Sequence, residues 1–382
     1  MSHNMSRFRG RFFGAALSLV VLVMFAVWTW SGRTESGSVP KIGENLIGGN
    51  PPKFSMEFFD TFDTIVSFTA FAESEEEFQR YAEIVRGEMS RLHRLFDIYH
   101  EYDGLLNIKT INDNAGAENA PLRVDRSLVD LLERAKAAYG DTGGAVNIAL
   151  GPVLKIWHDS REKVLAGEEP VSIPSQEELR QAAIHVSVED ILIDQENSMV
   201  SLRHEDMRLD LGAVAKGYAV QKTIECLREA GMRSGLINAG GNVAIIGKPL
   251  DGRGAWNIGI HAPTEEEDRS KILDVLRLTD GAAVTSGNDQ RYFMVGGRRY
   301  HHIIDPKTFF PAEGLKSVTV LHPDSATADI LSTAAFILPL DKARELLLRH
   351  GAEALWVTED GTKMATRGYL PLSKIMASAD KS

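Results

Sequence analysis

Cysteine is almost missing from this sequence: Cys226 is the only one in 382 residues. That excludes an intramolecular disulfide and any cysteine-based zinc or iron–sulfur centre. A lone thiol is compatible with either redox compartment, so the scarcity does not locate the protein. Basic excess is missing too. The 42 Lys and Arg face 53 Asp and Glu, for a net charge of −11, which argues against nucleic acid as a partner. A phosphate-bearing ligand must then be held by a local site, not by an overall positive field. There is no internal repeat. Hydrophobic content of 43% and charged content of 25% are those of a folded chain long enough for a sizeable core.

One long uncharged run stands apart. Residues 12–30 follow Arg7, Arg9 and Arg11 and end in Trp28-Thr29-Trp30. About 19 residues make a helix of roughly 28 Å, enough to cross a bilayer core. The basic flank predicts the N-terminus inside and the rest outside, with the indoles at the far interface. Trp-Thr-Trp is a poor signal-peptidase site, and no cysteine follows to accept a lipid. The expected organisation is a cytoplasmic basic N-terminus (1–11), a transmembrane anchor (12–30), a flexible tether (31–53) and one folded domain (54–382) on the extracytoplasmic side of the cell membrane. Gly37, Pro40, Gly43, Gly48, Gly49, Pro51 and Pro52 give the tether its composition.

Within the domain, strand and helix patterns mix without a regular βαβ order, which predicts an α+β fold. Residues 58–71 read as a strand or hairpin arm. Residues 73–96 read as an amphipathic helix with Phe78, Tyr81, Val85, Met89, Leu92 and Phe96 on one face. A second helix is expected over 127–139 with Gly140 as its stop, and a third opens at Pro174-Ser175. Two short strands follow, near 185–193 and 199–203.

Five segments carry candidate chemistry. Arg208-Leu-Asp-Leu-Gly-Ala-Val-Ala-Lys-Gly-Tyr218 reads as a strand ending at Asp210, a turn at Gly212, and a helix from about Ala213. Lys216 then sits in the first helical turn, where the dipole disfavours a cation unless an anion docks there. Asn238-Ala-Gly-Gly-Asn242 and Thr285-Ser-Gly-Asn288 allow close backbone approach to a ligand, or form ordinary hairpin turns. In Tyr300-His-His-Ile-Ile-Asp-Pro306 only one of His301 and His302 can face a given cleft, and a histidine there suits a general base. In Thr327-Ala-Asp-Ile-Leu-Ser-Thr333, Asp329 and Thr333 stack on one helical face as hard oxygen donors suited to Mg²⁺, with Ser325 or Thr327 as the expected cap.

Together with Thr142-Gly-Gly-Ala-Val-Asn-Ile-Ala-Leu-Gly-Pro-Val-Leu-Lys-Ile-Trp157, these strings in this order resemble the FAD:protein FMN transferases, the ApbE family. The resemblance covers most of residues 56–340 and implies a single compact, T-fold-related domain. It implies Mg²⁺-dependent transfer of the FMN half of FAD to a Ser or Thr hydroxyl of an acceptor flavoprotein, with release of AMP. The partners it implies are flavoproteins of membrane-associated electron transfer. By position, Ala213, Asp329 and Thr333 would bind the metal and His302 would be the base. Met56, Tyr99, Asn147, Asp210, Lys216, Ser286 and Ile303 would contact FAD. The same donor site would also serve an FAD pyrophosphatase, or a surface FAD carrier without turnover. Two positions depart from the family pattern. Phe309 replaces the usual Gly after Asp305-Pro-Lys-Thr308, so the loop beside the base is expected to be reshaped. Met56-Glu57 stands where Met-Gly-Thr is usual, with Asp60-Thr61 further on.

Overall fold

A computed structural model describes residues 50–376 apart from 118–120, 169–171 and 264–270. All of them lie in one compact unit, Pro40–Ser382. The predicted anchor, 12–30, and nearly all of the tether lie outside the described residues. Among the described residues no helix is long and apolar enough to cross a membrane.

In chain order the strands are β1 (Lys53–Thr61), β2 (Thr64–Phe71), β3 (Leu122–Arg123), β4 (Ile191–Asp194), β5 (Met199–Leu202), β6 (Gly235–Ala239), β7 (Asn242–Ile246) and β8 (Trp256–His261). After them come β9 (Ile272–Leu278), β10 (Gly281–Gly287), β11 (Tyr292–Val295), β12 (Arg298–His301), β13 (Leu315–His322), β14 (Glu353–Thr358) and β15 (Lys363–Ala365). The helices are α1 (Glu75–Phe96), α2 (Ile108–Asp113), α3 (Arg126–Asp141), α4 (Gly151–Leu165), α5 (Gln176–Ala182), α6 (Ala215–Glu229), α7 (Ser325–Ile337) and α8 (Leu340–Arg349).

Eight strands form one sheet in the order β1-β2-β6-β7-β10-β13-β14-β15, and every neighbouring pair is antiparallel. Its two faces are both buried, because successive side chains alternate between two cores. Phe68, Val318, Val320 and Trp356 join Phe78, Met89 and Leu92 of α1, Val220 and Ile224 of α6, and Leu331 and Ala334 of α7. Phe71, Ile245, Leu321 and Leu355 face the other way, onto Trp256, Ile258 and Leu276 of the β8–β9 pair. A third cluster, centred on Trp157 of α4, packs Phe293 and Tyr300 and so fixes the β11–β12 hairpin. Trp157 stacks on Tyr300 at 5.7 Å and donates its Nε1–H to the Phe309 carbonyl at 2.8 Å.

Several boundaries differ from the sequence reading for local reasons. The 58–71 segment is a two-residue hairpin rather than one arm, with Phe62 and Asp63 at φ 54° and 50°. It carries neither Asn nor Gly to announce the turn. Gly140 does not stop α3, which runs to Asp141; Gly143 and Gly144 hold the left-handed turn instead. The predicted strand ending at Asp210 is an extended segment outside any sheet. Its backbone is satisfied by a side chain: Leu209 donates to Asn112 Oδ1 at 2.7 Å and accepts from Asn112 Nδ2 at 3.0 Å. Helix α6 begins at Ala215, not Ala213, and ends before Gly231 (φ 88°) as expected. Asp324, not Ser325 or Thr327, caps α7.

Candidate active site

The α6 and α7 N-terminal halves cross closely because Gly217 has no side chain. A Cβ at Gly217 would lie 2.3 Å from Asp329 Cβ and 2.5 Å from the Ser325 carbonyl. At that crossing the Gly217 amide donates to Asp329 Oδ2 at 2.7 Å. Ala213 lies just before the Val214 N-cap of α6, so its carbonyl precedes the helical hydrogen-bond ladder, whose first bond is Tyr218 N–H to the Val214 carbonyl at 3.2 Å. Asp329 is buried, and loss of hydration raises its pKa above the ordinary carboxylate value, against the pull of Lys216, the Gly217 amide and Asn242. Asn242, in turn, has a buried Oδ1 with no hydrogen-bond partner.

These groups line one wall of a cleft of about 450 Å³. Ala213, Asp329, Thr333 and Asn242 are all among its lining residues. Among the described residues no three His, Cys, Asp or Glu converge as a metal cluster. A cation bound here would rest on one carboxylate and neutral oxygens, the arrangement that leaves Mg²⁺ positions for water and phosphate. The donor set and the orphaned Asn242 oxygen fit that ion. Lys216 lines the same cleft from the second position of α6.

The two histidines divide as strand geometry requires. His301 ends β12 and points inward, 7% exposed. Its Nε2 bonds the Ala312 carbonyl at 2.8 Å and its Nδ1 accepts the Ile303 amide at 3.3 Å, so both nitrogens are used. Burial lowers its pKa to about 4. His302, the next residue, opens onto the cleft. Its Nδ1 lies 3.2 Å from the Arg291 carbonyl. A carbonyl only accepts, so Nδ1 carries the proton and Nε2 keeps a free lone pair. The cleft wall surrounds the ring with protein, and this dehydration, then Arg291, Lys216 and His301, holds its pKa well below the usual imidazole value.

Asp210 follows the Asn112-held segment, accepts the Gly212 amide at 2.8 Å and lines the cleft. Dehydration raises its pKa, opposed by the Gly212 amide, Arg291, His158 and Lys216. Tyr99 faces it across the rim, its ring 5.5 Å from His158, with its hydroxyl pushed up to about 12 by burial and by Asp210. Asn147 lines the cleft, but its side chain is occupied, Nδ2 on the Val186 carbonyl and Oδ1 on the Ala149 amide. It shapes the wall ahead of α4. Ser286 shares a 2.7 Å hydrogen bond with Ser332 of α7, and Ile303 is a buried lining residue.

Gly240 and Gly241 make the β6–β7 hairpin turn, and Gly240 also lines the cleft. Their φ values are 56° and 92°, and a Cβ on Gly240 would meet Thr64 Oγ1 at 2.4 Å. Phe309 keeps the left-handed conformation a glycine would take, at φ 64°. The loop beside His302 is therefore held in glycine-type geometry by Trp157 and by the Phe309 amide on the Asp305 carbonyl at 2.8 Å.

Met56 is a correction. It is buried on β1 in the core against α1 and does not line the cleft. Phe62 and Asp63 of the hairpin turn line the cleft instead, with Thr64 at the start of β2 beside them. Sequence reasoning also missed His158, Arg161 and Arg291, all lining residues. His158 was legible one helical turn after Leu154; Arg291 sits in a polar turn that reads as a solvated charge.

A family model described as the ApbE family matches residues 62–356, beginning at that turn phenylalanine. The FAD:protein FMN transferase of Klebsiella pneumoniae (strain 342) is 32% identical over 274 residues, 70% of this chain and 82% of its own. That of Treponema pallidum (strain Nichols) is 35% identical over 277 residues, 69% of this chain and 74% of its own. Among solved structures, the ApbE protein from Thermotoga maritima matches with a TM-score of 0.72 at 30% identity, over 84% of this chain and 99% of that one. The flavin transferase ApbE from Vibrio cholerae matches at 0.68 and 22% identity, over 84% and 100%, a likeness of fold.

Proposed function

The chain belongs to the ApbE family, and we propose that it is an FAD:protein FMN transferase that moves the FMN half of FAD onto a Ser or Thr hydroxyl of an acceptor flavoprotein. The observation that carries this reading is that His302, Lys216, Asp329, Thr333 and Ala213 all line one cleft. The acceptor oxygen attacks the phosphorus of the FMN half. The P–O bond to the AMP phosphate breaks, and the hydroxyl proton passes to His302 Nε2.

The protein's part is positional. Arg291's carbonyl orients the imidazole, and its lowered pKa keeps it unprotonated near neutral pH. An anionic donor beside Lys216 and Arg291 raises that pKa toward the range where a base is effective. Lys216 neutralises donor phosphate, aided by the α6 N-terminus. Asp329, Thr333 and the Ala213 carbonyl would hold Mg²⁺, which supplies charge neutralisation on the diphosphate. Asp210, Tyr99 and Ile303 would border the flavin nucleotide.

The location belongs to the same proposal. Residues 12–30 would span the cell membrane once, leaving 54–382 on the extracytoplasmic side, where membrane-associated electron-transfer flavoproteins are its acceptors.

The test is the intact mass of a candidate acceptor after incubation with full-length protein, FAD and Mg²⁺. A gain of one FMN, lost with EDTA, is expected. FMN and AMP release without labelling would assign a pyrophosphatase, and FAD retained with neither product would assign a carrier.

A further inference from the structure

Arg291 touches the cleft twice. Its carbonyl accepts both the His302 amide, at 3.1 Å, and His302 Nδ1–H, at 3.2 Å. Its guanidinium reaches the other lip, 3.9 Å from Asp63 Oδ2. We propose that Arg291 is a donor-gated positioning residue: its guanidinium exchanges Asp63 for a phosphate of the diphosphate donor while its carbonyl keeps the base oriented. This rests on the transferase reading above, which supplies the diphosphate.

The pair with Asp63 is built to be given up. The two side chains are 52% and 78% exposed and stand at the limit of contact, and such exposed pairs contribute little. A phosphate offers the planar guanidinium two parallel charge-assisted hydrogen bonds, a better match than a distant carboxylate. The charge already acts inside the cleft, being felt at Asp210, Tyr99 and His302. Lys216 comes from the α6 N-terminus and Arg291 from the β10–β11 connection. The donor would thus meet two cations on separate elements.

Asp63, by contrast, is held in place. Thr61 pairs with Thr64, so Phe62 and Asp63 alone make the turn. Both adopt left-handed backbone that side-chain-bearing residues take only at a cost. The turn is pinned by the Phe62 amide on His93 Nδ1 at 3.2 Å and by the Phe62 ring packed edge-on to His93 at 5.4 Å. A fixed acid facing a long, exposed arginine is a parking position: in the absence of donor it draws the cation to the rim.

The experiment is FAD titration of full-length protein by flavin fluorescence, with uncharged riboflavin as comparator, on wild type, Arg291→Gln, Arg291→Lys and Asp63→Asn. Asparagine suits left-handed backbone, so Asp63→Asn removes the charge and keeps the turn. Arg291→Gln is expected to weaken FAD about tenfold or more and leave riboflavin unchanged. Arg291→Lys should recover part of the loss. Asp63→Asn should tighten FAD, the opposite sign. In acceptor labelling, Arg291→Gln should raise KM for FAD more than it lowers kcat. If Asp63→Asn and Arg291→Gln weaken FAD alike, or riboflavin weakens as much as FAD, the pair is a strut and the proposal is overturned. Wild type that binds no FAD would overturn the donor reading and this proposal with it.

Discussion

Asp329 Oδ2 accepts the amide of Gly217 at 2.7 Å across the α6–α7 crossing. One contact thereby anchors a buried carboxylate that lines the cleft, and requires glycine. Gly217→Ala should be severe: its methyl would sit 2.3 Å from Asp329 Cβ and 2.5 Å from the Ser325 carbonyl, with backbone on one side that cannot swing away. Overpacking of this kind costs about 1–3 kcal/mol or more. Denaturant unfolding should show that loss, and FMN transfer should vanish as Asp329 is displaced.

Asp329→Asn separates charge from shape. Burial raises the Asp329 pKa, so its ionised form is a burden in metal-free protein that grows as pH rises past the normal carboxylate range. The amide removes the charge and keeps an oxygen to accept the Gly217 amide. In EDTA at neutral pH the variant should melt at or above wild type. Added Mg²⁺ should raise the Tm of wild type only, and the variant should not transfer FMN. A variant that melts well below wild type in EDTA would contradict the burden.

The paired histidines predict opposite phenotypes. His302→Ala removes a ring open to the cleft, so Tm and FAD affinity should stay near wild type while turnover falls roughly 10²–10⁴-fold. His301→Ala removes two hydrogen bonds and an edge-to-face contact on Phe336 at 5.6 Å, and should cost stability first. Turnover lost in His301→Ala at unchanged Tm, with His302→Ala active, would reverse the assignment.

Acid should destabilise the fold through His301. Its folded pKa, about 4, lies below the unfolded value of 6.5, so the unfolded chain binds more protons between them. The stability it contributes is full above pH 6.5 and is lost as pH falls toward 4, on the order of 3 kcal/mol in all. His301→Gln should flatten this limb of a Tm–pH profile between pH 4 and 7. An unchanged limb would place the acid sensitivity elsewhere.

The sequence by itself determined the anchor-like run, the long α1 face, the α5 start at Ser175 and the stacking of Asp329 over Thr333. Each is a matter of spacing within one segment, and local periodicity reports it directly. Strand alternation likewise separated His301 from His302 but left open which one faces the cleft. Only the tertiary structure chose, because that choice depends on what packs behind β12, namely Ala312 and Phe336. The same holds for Met56, whose strand places it under α1, while a hairpin without a glycine brings Phe62 to the rim. Gly217 and Asp329, 112 residues apart, and Arg291 with Asp63 meet only because the sheet order brings their elements together. Their partners lie in other segments, and no pattern along a single stretch of chain encodes them.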